Sequence, residues 1–175
     1  MKNSDVHINK KTERQNTVAW RRILLLLLLL YLAILFYVTL FAWNHGSSYG
    51  PLGPGGRNYN VVPFRSIYRI ANYSPNMADP ILILGGNVIM FFPFGAIIAF
   101  LVKKKRKALW LIPTVATLLS IFIEMNQYIF THRVANVDDV LLNSLGGFLG
   151  AWFILIIRWG FLKFKVKDKG KTDYI

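Results

Sequence analysis

The sequence predicts an all-α protein: an integral membrane bundle of four transmembrane helices, with a short interfacial helix in its first outer loop. Composition is the first reason. Of 175 residues, 54% are hydrophobic and 15% aromatic, and the mean hydropathy is +0.40. That is too apolar for an ordinary soluble domain. Length is the second: the apolar residues fall into runs of about 20, enough to cross a hydrocarbon core. The third is the placement of charge. A net charge of +13 would suggest nucleic acid in a soluble protein. Here the basic residues sit at the ends of the apolar runs, as they do at a membrane surface. Membrane lipids are therefore the expected partners, with no nucleic acid and no cofactor. The absence of cysteine excludes disulfides, thiolate metal sites and cysteine nucleophiles.

Residues 1–22 form a basic cytoplasmic tail, expected to be disordered or to lie on a surface. The membrane domain is placed at 23–162. Its first span, about 23–43, contains the unbroken run Leu24–Leu30. It is longer than a signal-peptide core and no small-x-small cleavage site closes it, so it is read as an uncleaved span. Residues 44–80 form the long outer loop. The Gly- and Pro-rich part, 46–56, is expected to be irregular. A short helix follows, with Pro63 at its first position. Phe64, Ile67, Tyr68 and Ala71 then share one face, and Arg65, Ser66, Arg69 and Asn72 the other. That pattern suits a helix lying among lipid headgroups.

The second span, about 81–102, contains Gly85-Gly86-Asn87 and Phe91-Phe92-Pro93-Phe94-Gly95. Pro93 frees a backbone carbonyl. With Gly95 and Gly85-Gly86 it suggests a bent or broken helix, as at many membrane binding sites, a tolerated kink being the simpler alternative. Lys103–Lys107 closes this span. The third span, about 108–130, carries Thr117, Ser120, Glu124 and Gln127. The fourth, about 140–162, is followed by a second basic cytoplasmic tail at 163–175 with lysine at every second place from Lys163 to Lys171.

Six Lys and Arg precede the first span, five close the second and six lie from Arg158 on, leaving Arg57, Arg65, Arg69 and Arg133 for the other side. The positive-inside rule then puts both termini in the cytoplasm.

The polar residues inside this apolar frame are the candidate site. Asn87 and Glu124 each lie about 9 Å from the outer end of their spans, Gln127 is shallower, and Asn143 lies about 5 Å below the start of the fourth. Arg65, Arg133, Asp138 and Asp139 lie just above. The eight are expected to form one polar cavity open to the outside. Ser120, Glu124 and Gln127 share a helix face, as do Asp139, Asn143, Gly146 and Gly150. An intramembrane carboxylate is costly and marks function by default, so Glu124 is expected to pair with Arg65 or Arg133. The bland readings stand beside this one. Asn87 and Asn143 would also serve as packing glue, Glu124 as half of a structural ion pair, and Asp138 and Asp139 as charges favoured by a helix N-terminus. Pro93, Gly95, Gly146, Gly147 and Gly150 are assigned to helix packing, Gly146-x-x-x-Gly150 permitting close approach. A lone His132 is no metal site.

Taken together, four blocks carry a resemblance. Asn60-Val-Val-Pro63-Phe64, Asn87-x-x-x-Phe91-x-Pro93-Phe94-Gly95, Glu124-x-x-Gln127 and Arg133-x-x-Asn136-Val-Asp138-Asp139-x-x-x-Asn143-Ser-x-Gly146-Gly147-x-x-Gly150 occur in the order found in the VanZ-like family of bacterial membrane proteins. The resemblance spans roughly 25–160. Ser144 stands where Thr is commoner, and the N-terminal tail and the 46–56 loop look like additions. The resemblance implies a small multi-span protein of the bacterial cytoplasmic membrane, from a family whose founding member is associated with resistance to teicoplanin, a lipid-bearing glycopeptide. It implies no established enzyme activity.

The favoured function is binding of an anionic lipid or lipoglycopeptide at the outer polar cluster, with Arg65, Arg69 and Arg133 meeting the anion. An enzyme acting on a lipid-linked envelope precursor, with Glu124 or Asp138 as general base, is the first alternative. No nucleophile–base–orienter set supports it, and the sequence leans away from an enzyme. A small transporter or flippase component, which would need to oligomerise, is the second. A protein whose polar groups only pack helices is the third.

Overall fold

The structure is a computed structural model that describes residues 2–41, 59–76, 78–102, 104–130 and 134–172, with side chains from 14 to 160 except Lys105. The Gly/Pro stretch 46–56, Arg57, His132 and Arg133 lie outside the described residues. Four helices are long and apolar enough to cross a membrane: Arg14–Phe41, Ala78–Leu101, Arg106–Phe130 and Val137–Gly160. They form an all-α bundle.

Helix α1 (Lys2–Phe36) opens into a wide π-type turn at Tyr37–Phe41. The expected disordered or surface-lying tail is instead helix continuous with the span. No Pro or Gly interrupts residues 2–41, so nothing breaks the backbone ladder. In the wide turn, the buried Thr39 returns its hydroxyl to the Leu35 carbonyl at 2.8 Å.

Helix α2 (Arg65–Tyr73) is the interfacial helix, but it starts two residues later than the sequence suggests. Pro63 lies in the preceding turn and Phe64 takes the cap position in the left-handed region, at φ 64°. No side chain at that position caps the helix. It ends at Ser74, which is extended, as a residue before proline prefers to be.

The second span is assembled from α3 (Ala78–Pro80), a wide turn at Ile81–Gly85 and α4 (Gly86–Leu101). The helix is unbroken at Pro93 and Gly95, as the simpler alternative of a tolerated proline has it, and the irregular part of the span is the wide turn that ends at Gly85. Gly85 and Gly86 have helical dihedrals and α4 runs through Pro93. A transmembrane helix tolerates the N–H that a proline lacks when neighbouring groups re-satisfy the freed carbonyl. Helix α5 (Lys105–Phe130) likewise runs through Pro113, and α6 (Val137–Thr172) completes the bundle.

Helix α4 lies closest to α6, because glycines remove the side chains between them. A Cβ added at Gly95 would sit 1.9 Å from the Gly147 carbonyl oxygen, at Gly146 2.2 Å from that of Val88, and at Gly150 2.0 Å from that of Phe92. Gly147 also receives the Ala116 methyl of α5, with 2.7 Å left for a Cβ. In hydrocarbon, where apolar burial gives helices no reason to associate, such backbone approach supplies the dispersion contacts that do. Two apolar cores follow. One, around Ala99, Ala108, Ile112, Ala151, Ile154 and Leu155, lies toward the end where α4 stops and α5 starts. The other, around Leu35, Phe91, Phe94, Ala116 and Ile123, lies toward the loop end.

At the 102–104 end, Arg158 donates from Nη1 to the carbonyls of Ala99 at 3.2 Å and Val102 at 3.3 Å. A cation thus meets the carbonyls that end α4, where the helix dipole is negative. Arg158→Ala is expected to lower bundle stability by about 1–2 kcal/mol, with lysine restoring part of it. Thermal unfolding in detergent checks this, and an unchanged midpoint would contradict it.

At the loop end, the only ladder among the described residues is a parallel pair between β1 (Tyr59–Asn60) and β2 (Ala135–Asn136), with Tyr59 opposite Ala135 and Asn60 opposite Asn136. It brings the loop after the first span onto the α5–α6 connection, 76 residues away.

Candidate functional site

Asn136 is the hub of the loop end. It is 7% exposed. Its backbone N–H donates to Glu124 Oε2 at 2.7 Å, and its Oδ1 accepts from Asn60 Nδ2 at 2.9 Å and from the Asp138 backbone N–H at 3.1 Å. Ser66 Oγ lies 3.3 Å from the same oxygen and accepts from Asn60 Nδ2 at 3.0 Å. Asn136 Nδ2 donates to Asp139 Oδ1 at 3.1 Å, which Asn87 Nδ2 also reaches at 3.4 Å.

Asp138 has a more specific task. It lies in the first turn of α6 and is 1% exposed. Its Oδ1 accepts from the Phe64 backbone N–H at 2.5 Å, and its Oδ2 from those of Ser66 at 2.6 Å and Ile67 at 3.2 Å. These are the free amides at the start of α2, the donors that a helix leaves unsatisfied. Asp138 therefore caps α2 from another helix. A carboxylate is suited to this, since its bonds are charge-assisted and the helix N-terminus is positive.

The eight residues expected to share a cavity divide into separate places. Asn87, Glu124, Asp138 and Asp139 belong to the network. Gln127 is buried but turns toward α1, donating to the Thr39 carbonyl at 2.8 Å. In hydrocarbon a carbonyl in an irregular turn needs such a donor. Asn143 lies deeper, between α5 and α6, and donates to Ser120 Oγ at 2.8 Å; its Oδ1 is buried without a partner among the described residues. Beside it, Thr117 and Ser144 hydroxyls lie 2.7 Å apart. Arg65 is exposed on α2, and Glu124 accepts from the Asn136 backbone N–H. Arg133 lies outside the described residues. Among the described residues, four of the eight share a hydrogen-bond network in which amides from β2 and α2 reach the carboxylates.

Sequence reasoning left Asn60, Ser66 and Asn136 out of the site. Asn60 and Asn136 stood in the blocks quoted above, but both lie outside the apolar runs, and no local pattern marks two-residue strands that pair across 76 residues.

A groove of about 320 Å³ runs beside the network. Tyr59, Val61, Ile121, Met125, Tyr128 and Val140 form its walls, and Glu124 and Asn136 lie at its back. Tyr59 meets Tyr128 edge to face with ring centroids 6.3 Å apart. Among the described residues, no three His, Cys, Asp or Glu side chains come together as they would around a metal ion.

The sequence model of the VanZ/LLP1 family matches residues 28–158, which hold the whole network, the groove and the glycine contacts. The chain belongs to the VanZ/LLP1 family. It is also similar to "Protein VanZ" of Enterococcus faecium, with 32% identity over 126 residues covering 71% of this chain and 68% of that protein. No solved structure matches it. In this VanZ/LLP1 chain, the blocks that carried the family resemblance are the ones that the fold joins: Asn60, Asn87, Glu124, Asn136, Asp138 and Asp139 come from three helices and the two short strands into one network.

Proposed function

We propose that this VanZ/LLP1 protein holds an anionic amphiphile, a membrane lipid or lipoglycopeptide, at its loop end. Such binding is the basis of the role in the cell envelope and in teicoplanin susceptibility that the resemblance implies. The division of charge at the loop end carries this reading. Asp138, Asp139 and Glu124 accept hydrogen bonds from within the protein, while Arg65 and Arg69 stand exposed on α2. Exposed arginines suit phosphate and carboxylate, which they bind with two parallel bonds. Phe64, Tyr68 and Tyr73, also exposed, support a position at headgroup depth. Both oxygens of Asp138 already serve three amides, which favours binding over acid–base chemistry at that residue.

The reading places the protein in the bacterial cytoplasmic membrane with both termini inside and the loop end outward, which the distribution of Lys and Arg supports. Exposed Trp20, Trp110 and Trp159 near the basic clusters support an interface at the opposite end.

The test uses a teicoplanin-sensitive Gram-positive host and the purified protein. Wild type is expected to reduce susceptibility and to bind phosphatidylglycerol. The Arg65→Ala/Arg69→Ala protein is expected to lose the phenotype at normal membrane level and to bind about tenfold or more weakly. Unchanged susceptibility together with unchanged binding would sink the proposal. A Tyr73→Cys variant of this cysteine-free chain should react with an impermeant maleimide on intact cells; reaction only after lysis would invert the orientation.

A further inference from the structure

We infer that the groove beside Asn136 seats one acyl chain of an anionic phospholipid whose headgroup meets α2. For the headgroup this rests on the function proposed above; for the chain it rests on the groove itself.

Depth is the first argument. Ile121 lies roughly 14 Å along α5 from Phe130, and Val140 lies in the first turns of α6. Both belong to segments long and apolar enough to span. Tyr59 and Val61 belong to the loop at the other limit of the groove. The groove thus runs from the level of the interfacial loop down into the depth of the hydrocarbon. Ile121 and Met125 on its α5 side are 41% and 56% exposed, so it opens sideways toward lipid rather than into the bundle.

Chemistry is the second. The walls are aliphatic, thioether and aromatic. The carboxylate at the back, Glu124, is 8% exposed and turns Oε2 to the Asn136 amide, so it offers little to a polar ligand. A hydrocarbon chain satisfies such walls by dispersion alone.

Charge is the third. The wall residue Asn60 bonds Ser66 in the first turn of α2 at 3.0 Å, so the exposed cation next to it in sequence, Arg65, stands at the loop limit of the groove. A ligand with a chain below and an anion above fits this order. A zwitterionic lipid would leave the arginines with a weaker partner.

The test counts lipids on the intact chain by mass spectrometry after extraction from liposomes of phosphatidylglycerol and phosphatidylcholine. Wild type is expected to retain phosphatidylglycerol. Val140→Phe, which fills the groove, should lower retention about tenfold, the effect of losing contact with roughly two methylene groups. Leu118→Phe, on an exposed part of α5 outside the groove, should not. If Val140→Phe disturbs the bundle, as helix content and melting would show, Val61→Trp fills the groove from the exposed loop instead. Full retention by folded groove-filled protein overturns the inference, even where Arg65→Ala/Arg69→Ala abolishes binding and so upholds the headgroup reading. Groove-dependent retention that ignores lipid charge and the two arginines upholds the chain site and defeats the proposed headgroup contact.

Discussion

Asp138→Ala is expected to release the interfacial helix from the bundle while the four long helices stay assembled. Asp138 is the acceptor for three backbone N–H groups at the start of α2, and that helix has no capping side chain of its own. Nine residues are too few to hold a helix in water without such support. Losing the charged acceptor and leaving the amides unpaired costs about 3–5 kcal/mol. The left-handed backbone at Phe64 adds to the incentive to unfold, since its cost is offset only by the capped arrangement. Asp138→Asn should do less damage, because its amide oxygen can still accept from Ser66 and Ile67 while its NH₂ faces the Phe64 N–H. Hydrogen exchange is the direct measure. The amides of Phe64, Ser66 and Ile67 should lose protection, with those inside α4, α5 and α6 unchanged. Protection that survives the alanine change would mean that Asp138 does not hold α2.

Gly150→Leu is expected to prevent α4 and α6 from closing. Its Cβ would meet the Phe92 carbonyl oxygen at 2.0 Å and the Ala96 nitrogen at 2.9 Å. Both atoms are backbone inside a helix and cannot turn aside. Overpacking against side chains costs about 1–3 kcal/mol, and more where backbone must move, so a loss of at least about 3 kcal/mol is expected. Folded yield and melting in detergent report it. Gly85→Ala is the matched control: its added Cβ meets nothing within 4 Å and its dihedrals are helical. It should be neutral or stabilise by about 0.4–1 kcal/mol. Equal behaviour of the two variants would show that close helix approach is not what the glycine at 150 provides.

The two variants show how differently the parts of this protein are written in its sequence. Hydrophobic runs of spanning length, with lysine and arginine at their ends, are a local signal. Each residue type acts on the solvent beside it, lipid or water, whatever the rest of the chain does, so the four apolar helices and the all-α class were legible. The interfacial helix was legible for the same reason, through its alternation of aromatic and basic faces, although its start was not. Pro63 satisfies the geometric preference for a first helical position, yet the acceptor that decides where the amides begin is Asp138, far along the chain. The N-terminal extension was misread because charge and polarity suggested disorder, while the absence of Pro and Gly from 2–41 left the helix nothing to stop it.

The polar site was legible as a set of residues and illegible as an arrangement. Depth estimates brought Asn87, Glu124, Asp138 and Asp139 near one level, but depth says nothing about which donors lie beside an acceptor. That was decided by the pairing of Asn60 with Asn136, which carries α2 onto α6 and links the described polar groups in one hydrogen-bond network. The same contact separates Gln127 and Asn143 from the cluster and leaves Arg65 facing outward. By itself the sequence determined what the membrane sorts: which segments enter it, which stay at its surface, and which residues would be costly inside. Only the tertiary structure decided which polar groups satisfy one another, because a hydrogen bond depends on ångström-scale distance and direction between residues that the chain holds far apart.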